Sequence, residues 1–299
     1  MKYLVAVLLM LPAAVQALEV QKVTDGVYAI VGDLGQRTEE NLANNGTFGV
    51  VVTDEGVVLV DPGGSWLGAA EIDAAIDTVT DKPVKVVINS GGQDHRWIGN
   101  GYWKAQGAEI VASEAAVADQ KDRGSAQFSA LAFFLKDRLE GTEPVYADVT
   151  FDTAYDFSLG GVDFQVRHLG PAHTPGDSFV WVPSKDTVFT GDIVYTERLL
   201  GIGEQSDSAN WIEVFEEIAD LNPAHVVPGH GRATDLATAT ADTYEYLLNL
   251  RREMGVYMAV SDDIINAVKV DQSAFAYLQN FGQLAGKNAQ QVFQEMEWE

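Results

Sequence analysis

Residues 84–100 read Val-Lys-Val-Val-Ile-Asn-Ser-Gly-Gly-Gln-Asp-His-Arg-Trp-Ile-Gly-Asn. The apolar run Val84–Ile88 predicts a buried β-strand, and the Gly, Asn and Asp residues after it predict that the strand ends in a loop. Loops at the ends of buried strands often carry chemistry, because a rigid sheet positions side chains that still face solvent. Asp94 and His95 place a carboxylate beside an imidazole in this loop, and both are ligand types for zinc or iron.

Three later stretches carry the same kinds of side chain. His173 lies in Gly170-Pro-Ala-His-Thr-Pro-Gly-Asp177, and His230 lies in Pro228-Gly-His-Gly. Asp192 follows an apolar run that begins at Thr187, so it also stands at the predicted end of a strand. The other two histidines, His168 and His225, lie outside these stretches.

Taken together, and over roughly residues 25–235, these stretches resemble the metallo-β-lactamase superfamily. Its pattern is His-x-His-x-Asp-His, followed by a His, an Asp and a His at later strand ends. Counting back from Asp94, the first two histidines of the pattern fall on Ser90 and Gly92. If residues 88–90 instead stand for the family's Ile-Asn-Thr, the loop is one residue short, and both histidines are missing in either register.

The resemblance implies an α/β protein, a four-layer αβ/βα sandwich, and the pattern of short strands and amphipathic helices agrees with it. Residues 1–17 read as a secretory signal peptide with cleavage after Ala17, because a lysine, a short apolar run and small residues follow one another. We expect residues 18–235 to form the superfamily domain. Residues 236–299 are expected to form a helical C-terminal extension packed on the same domain. The predicted location is the periplasm or the exterior, without a membrane anchor.

Composition narrows the function. The 299 residues carry a formal net charge of −25, which repels phosphate backbones, so we expect a small-molecule substrate or ligand and no nucleic acid. A protein partner cannot be read from the chain. There is no cysteine, which excludes disulfides and thiolate metal ligands.

The resemblance also implies which residues hold metal. The first of the family's two sites would keep only His173. The second would be whole, with Asp94, His95, Asp192 and His230, and would hold one zinc ion, with iron or manganese as alternatives. Asp61 resembles an aspartate that steadies the metal loops in the family, although Asp before Pro also favours a turn.

Two catalytic roles stay open at this stage. Asp94 would act either as a metal ligand or as a base that holds the attacking water. His173, if it does not bind metal, would polarise a substrate carbonyl. The expected function is hydrolysis of an ester, thioester, lactone or amide by water activated at a single ion. The alternative is a catalytically silent binding protein that keeps the pocket and has a degenerate metal site.

Overall fold

The computed structural model describes residues 18–299, so the predicted signal peptide at residues 1–17 lies outside the described part of the chain. The first sheet has seven strands that lie side by side in chain order. They are β1 (Glu19–Thr24), β2 (Val27–Val31), β3 (Thr47–Val52), β4 (Val57–Val60), β5 (Val84–Asn89), β6 (Glu109–Ser113) and β7 (Val149–Phe151). β1 to β4 pair antiparallel, and β4 to β7 pair parallel.

The second sheet has five strands in the order β12-β11-β10-β9-β8. They are β8 (Ala154–Leu159), β9 (Val162–Arg167), β10 (Phe179–Val182), β11 (Thr187–Phe189) and β12 (His225–Val227). Only β11 and β12 pair parallel, so the carboxyl ends of these two strands lie at the same edge of the sheet.

Eight α-helices accompany the sheets in residues 18–299. They are α1 (Trp66–Ile76), α2 (Asn100–Ala105), α3 (Glu114–Leu135), α4 (Ser208–Asp220), α5 (Leu236–Ala239), α6 (Glu245–Met258), α7 (Ile264–Ala267) and α8 (Phe281–Met296). A π-helical turn at Thr240–Tyr244 joins α5 to α6. Within the described residues, no helix is both long and apolar enough to cross a membrane.

The hydrophobic core confirms the four-layer sandwich. Between the sheets, Val60 and Ile88 of the first share one cluster with Phe164 and Phe189 of the second. Ile72 of α1 and Trp103 of α2 cover the outer face of the first sheet. Helices α4, α6 and α8 cover the outer face of the second, so the C-terminal helices belong to the same core as that sheet.

Candidate functional site

The predicted site lies where loops of the two sheets meet. The loop after β5 lies against the segment after β9, because the Ser178 amide donates to the Ser90 carbonyl at 2.7 Å. The loop after β12 lies against the start of β3, because the Thr47 amide donates to the Gly229 carbonyl, also at 2.7 Å. The loops after β5, β11 and β12 thus converge at one end of the sandwich.

Three of the predicted ligands, His95, Asp192 and His230, come together there. All three are buried, and one ligand atom from each lies within 4.8 Å of the other two. His95 Nε2 lies 3.5 Å from one carboxylate oxygen of Asp192, and His230 Nε2 lies 3.1 Å from the other. Two imidazoles and a carboxylate form a donor set that suits zinc or iron.

The orientation of His95 leaves two polar atoms without partners. Its Nδ1 lies 2.9 Å from Asp94 Oδ1 and 3.3 Å from Arg37 Nη2, and the shorter contact, which is to an acceptor, favours the ring proton on Nδ1. His95 Nε2 then carries a lone pair, and it faces Asp192 Oδ2. Neither atom has a hydrogen-bond partner within the described residues, although both are buried. Two facing acceptors repel each other unless a proton or a metal ion lies between them.

Asp94 lies beside this group but outside it. Its carboxylate accepts hydrogen bonds from Arg37, with 2.7 Å between Arg37 Nε and Asp94 Oδ2, and from the His95 amide at 2.8 Å. Burial acts to raise the pKa of Asp94, but the charge of Arg37 and the contact with His95 hold it well below its usual range. Asp94 therefore orients His95, and its oxygens are already occupied by these donors.

Arg96, like Arg37 and Arg198, is a site residue that the sequence did not single out. Its guanidinium is fully buried and donates to Asp61 at 2.9 Å and to Asp192 at 2.8 Å. It also donates to the backbone carbonyls of Thr47 at 3.1 Å and Gly229 at 2.7 Å. A permanent positive charge thus lies between two carboxylates, one of which is a candidate metal ligand.

Asp61 steadies the loop after β5, as its resemblance implied. It accepts hydrogen bonds from the amide and the hydroxyl of Ser90, at 2.8 and 2.9 Å. Asp61 has a φ of +71°, a left-handed conformation that aspartate adopts more readily than most residues. Because Asp61 contacts both Ser90 and Arg96, it connects the end of β5 to Arg96.

The position of Arg96 follows from the register that begins at Ile88-Asn89-Ser90. In this register the six-residue pattern His-x-His-x-Asp-His runs from Gly91 to Arg96. His95 then takes the place of the Asp, and Arg96 takes the place of the last His. The loop then needs no missing residue. Because Asp94-His95 looks like the Asp-His of the pattern, the sequence alone favours the other register. The signal that could have separated the two is the Ile-Asn-Ser anchor.

The two glycines in this loop are enclosed by neighbouring carboxylates. A Cβ on Gly91 would lie 2.4 Å from Asp177 Oδ1, and a Cβ on Gly92 would lie 1.8 Å from Asp119 Oδ2. Asp119 is itself held by an ion pair with Arg123. The space beside both glycines is therefore filled. In the register that ends at Arg96, Gly91 stands for the first histidine of the pattern and Gln93 for the second.

His173 stands apart from the three clustered ligands but lines the same pocket. Its Nδ1 lies 2.9 Å from the Gly201 carbonyl, and its ring packs against Trp211 and Tyr195. Burial lowers its pKa, so the neutral ring is favoured. His168 contacts the Asp177 carbonyl through its Nδ1, and His225 lies in β12; neither belongs to the group of three.

The contact with Arg198 determines which ring nitrogen of His230 carries the proton. Its Nη1 lies 3.3 Å from His230 Nδ1, and since arginine can only donate, Nδ1 accepts and the proton lies on Nε2. Burial and the charge of Arg198 hold the pKa of His230 well below its usual value. His230 is therefore neutral and donates to Asp192.

These side chains border a cavity of about 200 Å³. Its wall includes His95, His173, His230, Tyr195, Arg37 and Arg198. The cavity gives a small molecule access to His95 and His230, whereas Asp192 is not among its lining residues.

Comparison with known proteins agrees with this architecture. The family model of the metallo-β-lactamase superfamily matches residues 43–230. The type 2 metallo-β-lactamase of Bacteroides fragilis is 29% identical over 85 residues, which are 27% of this chain and 34% of that protein. The β-lactamase-like protein 2 homolog of Caenorhabditis elegans is 28% identical over 121 residues, 40% of this chain and 38% of that protein. The matches thus span less than two fifths of either relative.

Solved structures share the fold. A metallo-β-lactamase from Pontibacter korlensis matches 78% of this chain and 99% of its own with a TM-score of 0.62 and 24% identity. A sec-alkylsulfatase from Pseudomonas matches 93% of this chain and 50% of its own with a TM-score of 0.69 and 13% identity. At these identities the two likenesses establish the fold alone.

Proposed function

The chain belongs to the metallo-β-lactamase superfamily, and on that basis we propose that it is a hydrolase that uses one divalent metal ion, most simply zinc. His95, Asp192 and His230 would hold the ion, and the substrate would be a small ester, thioester, lactone or amide. The observation that carries this proposal is the buried, unpartnered pair of His95 Nε2 and Asp192 Oδ2.

The donor set fits the ion. Catalytic zinc sites commonly have three protein ligands and one open position, and two histidines with one carboxylate are among the known sets. The same set also suits iron, and manganese accepts carboxylate ligands. When bound, such an ion activates a water and polarises a carbonyl.

The chain's other residues would support these ligands. Asp94 accepts from His95 Nδ1 and so holds the ring with Nε2 toward Asp192, as carboxylates commonly do behind metal-binding histidines. Its ion pair with Arg37 and its depressed pKa make it a weak base, which favours positioning over proton abstraction. His173 lies in the pocket wall, and because its Nδ1 donates to the Gly201 carbonyl, the neutral ring has Nε2 as an acceptor. It would therefore accept a hydrogen bond from a water or a substrate donor, which does not fit the expected role of polarising a carbonyl.

A second candidate is a metal-free protein that binds a small molecule in the same pocket. Two contacts favour it. Arg96 donates to Asp192, and Arg198 keeps a proton on the nitrogen of His230 that would bind metal. Each guanidinium repels a dication nearby, and metal binding would have to displace the His230 proton.

Metal content separates the two candidates. Protein purified without an affinity tag is incubated with zinc, desalted and analysed by plasma mass spectrometry. We expect about one zinc per chain in the wild type, loss of zinc in His230→Ala and retention in His173→Ala. His225→Ala, in β12 but outside the site, is the matched control. Wild type with no more zinc than His230→Ala would overturn the metal-dependent function and leave the binding protein.

A further inference from the structure

Arg198 is a buried cation without a carboxylate partner. Only 6% of its surface is exposed. No carboxylate oxygen lies within the 4.0 Å ion-pairing distance of its guanidinium in residues 18–299. The other two arginines beside the cluster differ, because Arg96 is paired with Asp61 and Asp192, and Arg37 is paired with Asp94.

The contacts that Arg198 does make are weak for a buried charge. Nη1 donates to His230 Nδ1 at 3.3 Å, and the guanidinium carbon lies 5.8 Å from the centre of the Tyr195 ring. Nε is buried and has no hydrogen-bond partner. Buried charges are normally paired, so the site lacks an anion.

Within residues 18–299, the pocket that Arg198 borders has no acidic residue in its wall to repel an anion. Arg37 also lines it, and none of its lining residues is an aspartate or a glutamate. This is unusual in a chain whose 44 acidic residues outnumber its 19 lysines and arginines. Because Asp94 balances the charge of Arg37, the positive charge at this pocket that lacks a carboxylate partner in the described residues is that of Arg198, and a positive charge in a concave site attracts anions.

We propose that this pocket binds a small molecule through an anionic oxygen group, a carboxylate, sulfate or phosphate, that pairs with Arg198. The inference rests on the proposed function only in taking this pocket as the substrate pocket. It specifies the substrate class as anionic. The cavity of about 200 Å³ is smaller than the ~300–1,000 Å³ of pockets for drug-sized ligands, so the ligand is small.

Binding, measured apart from turnover, tests the proposal. Benzoate, phenyl sulfate and phenyl phosphate are titrated into the full chain, with and without zinc, and followed by ligand-observed NMR. Benzamide serves as the neutral analogue of benzoate. We expect at least one of the anions to bind more tightly than benzamide. Arg198→Gln should weaken that binding by about tenfold or more, because charge-assisted hydrogen bonds contribute about 1.5–3 kcal/mol.

Two variants control for effects on folding. Arg232→Gln removes an exposed arginine that pairs with Glu19 and should leave binding unchanged. Arg198→Lys keeps the charge and should retain part of the affinity, while thermal melting reports whether each variant is folded. Equal anion binding by wild type and Arg198→Gln, or no preference for any anion over benzamide, would overturn the proposal. Anion binding without zinc uptake would leave it standing and refute only the hydrolase.

Discussion

The two halves of the site differ in what they place beside the shared centre. The second sheet supplies a carboxylate and an imidazole, Asp192 and His230, from loops at neighbouring strand ends. The loop after β5 supplies His95 alone, and its other positions hold glycines enclosed by carboxylates and a buried arginine. One half kept the ligand types of the superfamily, and the other fills the same space with an ion-pair network.

The difference shows that a buried cation of the chain itself can pair with carboxylates of both sheets at the centre where the resemblance to the superfamily implies metal ligands. Arg96 joins Asp61 of the first sheet to Asp192 of the second, so it connects the two halves as a bridging ion would. Burial acts to raise the pKa of Asp192, but the charge of Arg96 and the hydrogen bond from His230 hold it well below its usual range. The carboxylate therefore stays charged without relying on a bound metal.

The largest loss of stability is expected from Arg96→Met, which removes the guanidinium that connects the two halves. It leaves Asp61 and Asp192 buried without their shared partner, and breaking a buried ion pair in this way costs about 3–5 kcal/mol. We expect the free energy of unfolding, measured by urea denaturation, to fall by that amount. Arg232→Met is the control, since its ion pair with Glu19 is exposed and contributes less than about 1 kcal/mol. Similar losses in both variants would show that Arg96 does not hold the halves together.

A smaller effect is expected from adding a histidine to the first half at Gly92, which the register counted back from Asp94 assigns to the second histidine of the pattern. In Gly92→His the new side chain meets Asp119, which Arg123 holds in place. Overpacking of this kind costs about 1–3 kcal/mol, so we expect lower stability and no increase in bound zinc. Gly282→His, on α8 with open space around its Cβ, should change stability by less than about 0.5 kcal/mol. Tighter zinc binding by Gly92→His would mean that the loop can still accommodate the ligand.

The smallest expected effect is on the pH dependence of stability, which tests the same difference between the two halves of the site. Asp177, in the second half, has no arginine partner within the described residues, and burial together with Asp192 raises its pKa to about 8. Between its unfolded value of 3.8 and about 8, the folded chain keeps a proton that the unfolded chain has released. Stability therefore falls as pH rises through this window. Asp177→Asn should flatten that decline in urea denaturation without added metal.

Asp94 provides the comparison of opposite sign. Because Arg37 and His95 depress its pKa, its contribution is present above the unfolded value of 3.8 and is lost as pH falls below it. The stability difference between wild type and Asp94→Asn should shrink in acid. A difference that grows in acid, or an unchanged slope in Asp177→Asn, would contradict the assigned protonation states.

Much of the architecture was readable from the sequence. The strand at Val84, the hairpin of β3 and β4, and the helix capped by Ser65 all have local signals, and the structure contains each of them. The clustering of His95 with Asp192 and His230 was also expected, because each follows an apolar strand and such ends converge in this fold. Arg96 was missed, since an arginine in a loop usually indicates solvent exposure.

The sequence by itself determined strands, turns and the kinds of side chain at the strand ends, because strand periodicity and turn chemistry are local properties. The four-layer sandwich followed from the resemblance of these stretches to the superfamily. Only the tertiary structure decided that Asp94 faces Arg37, that Arg96 occupies the centre and that Arg198 is left without an acid. The partners of Arg96 lie 35 and 96 residues away along the chain. Contacts over such separations depend on how the two sheets pack, and no local pattern specifies them.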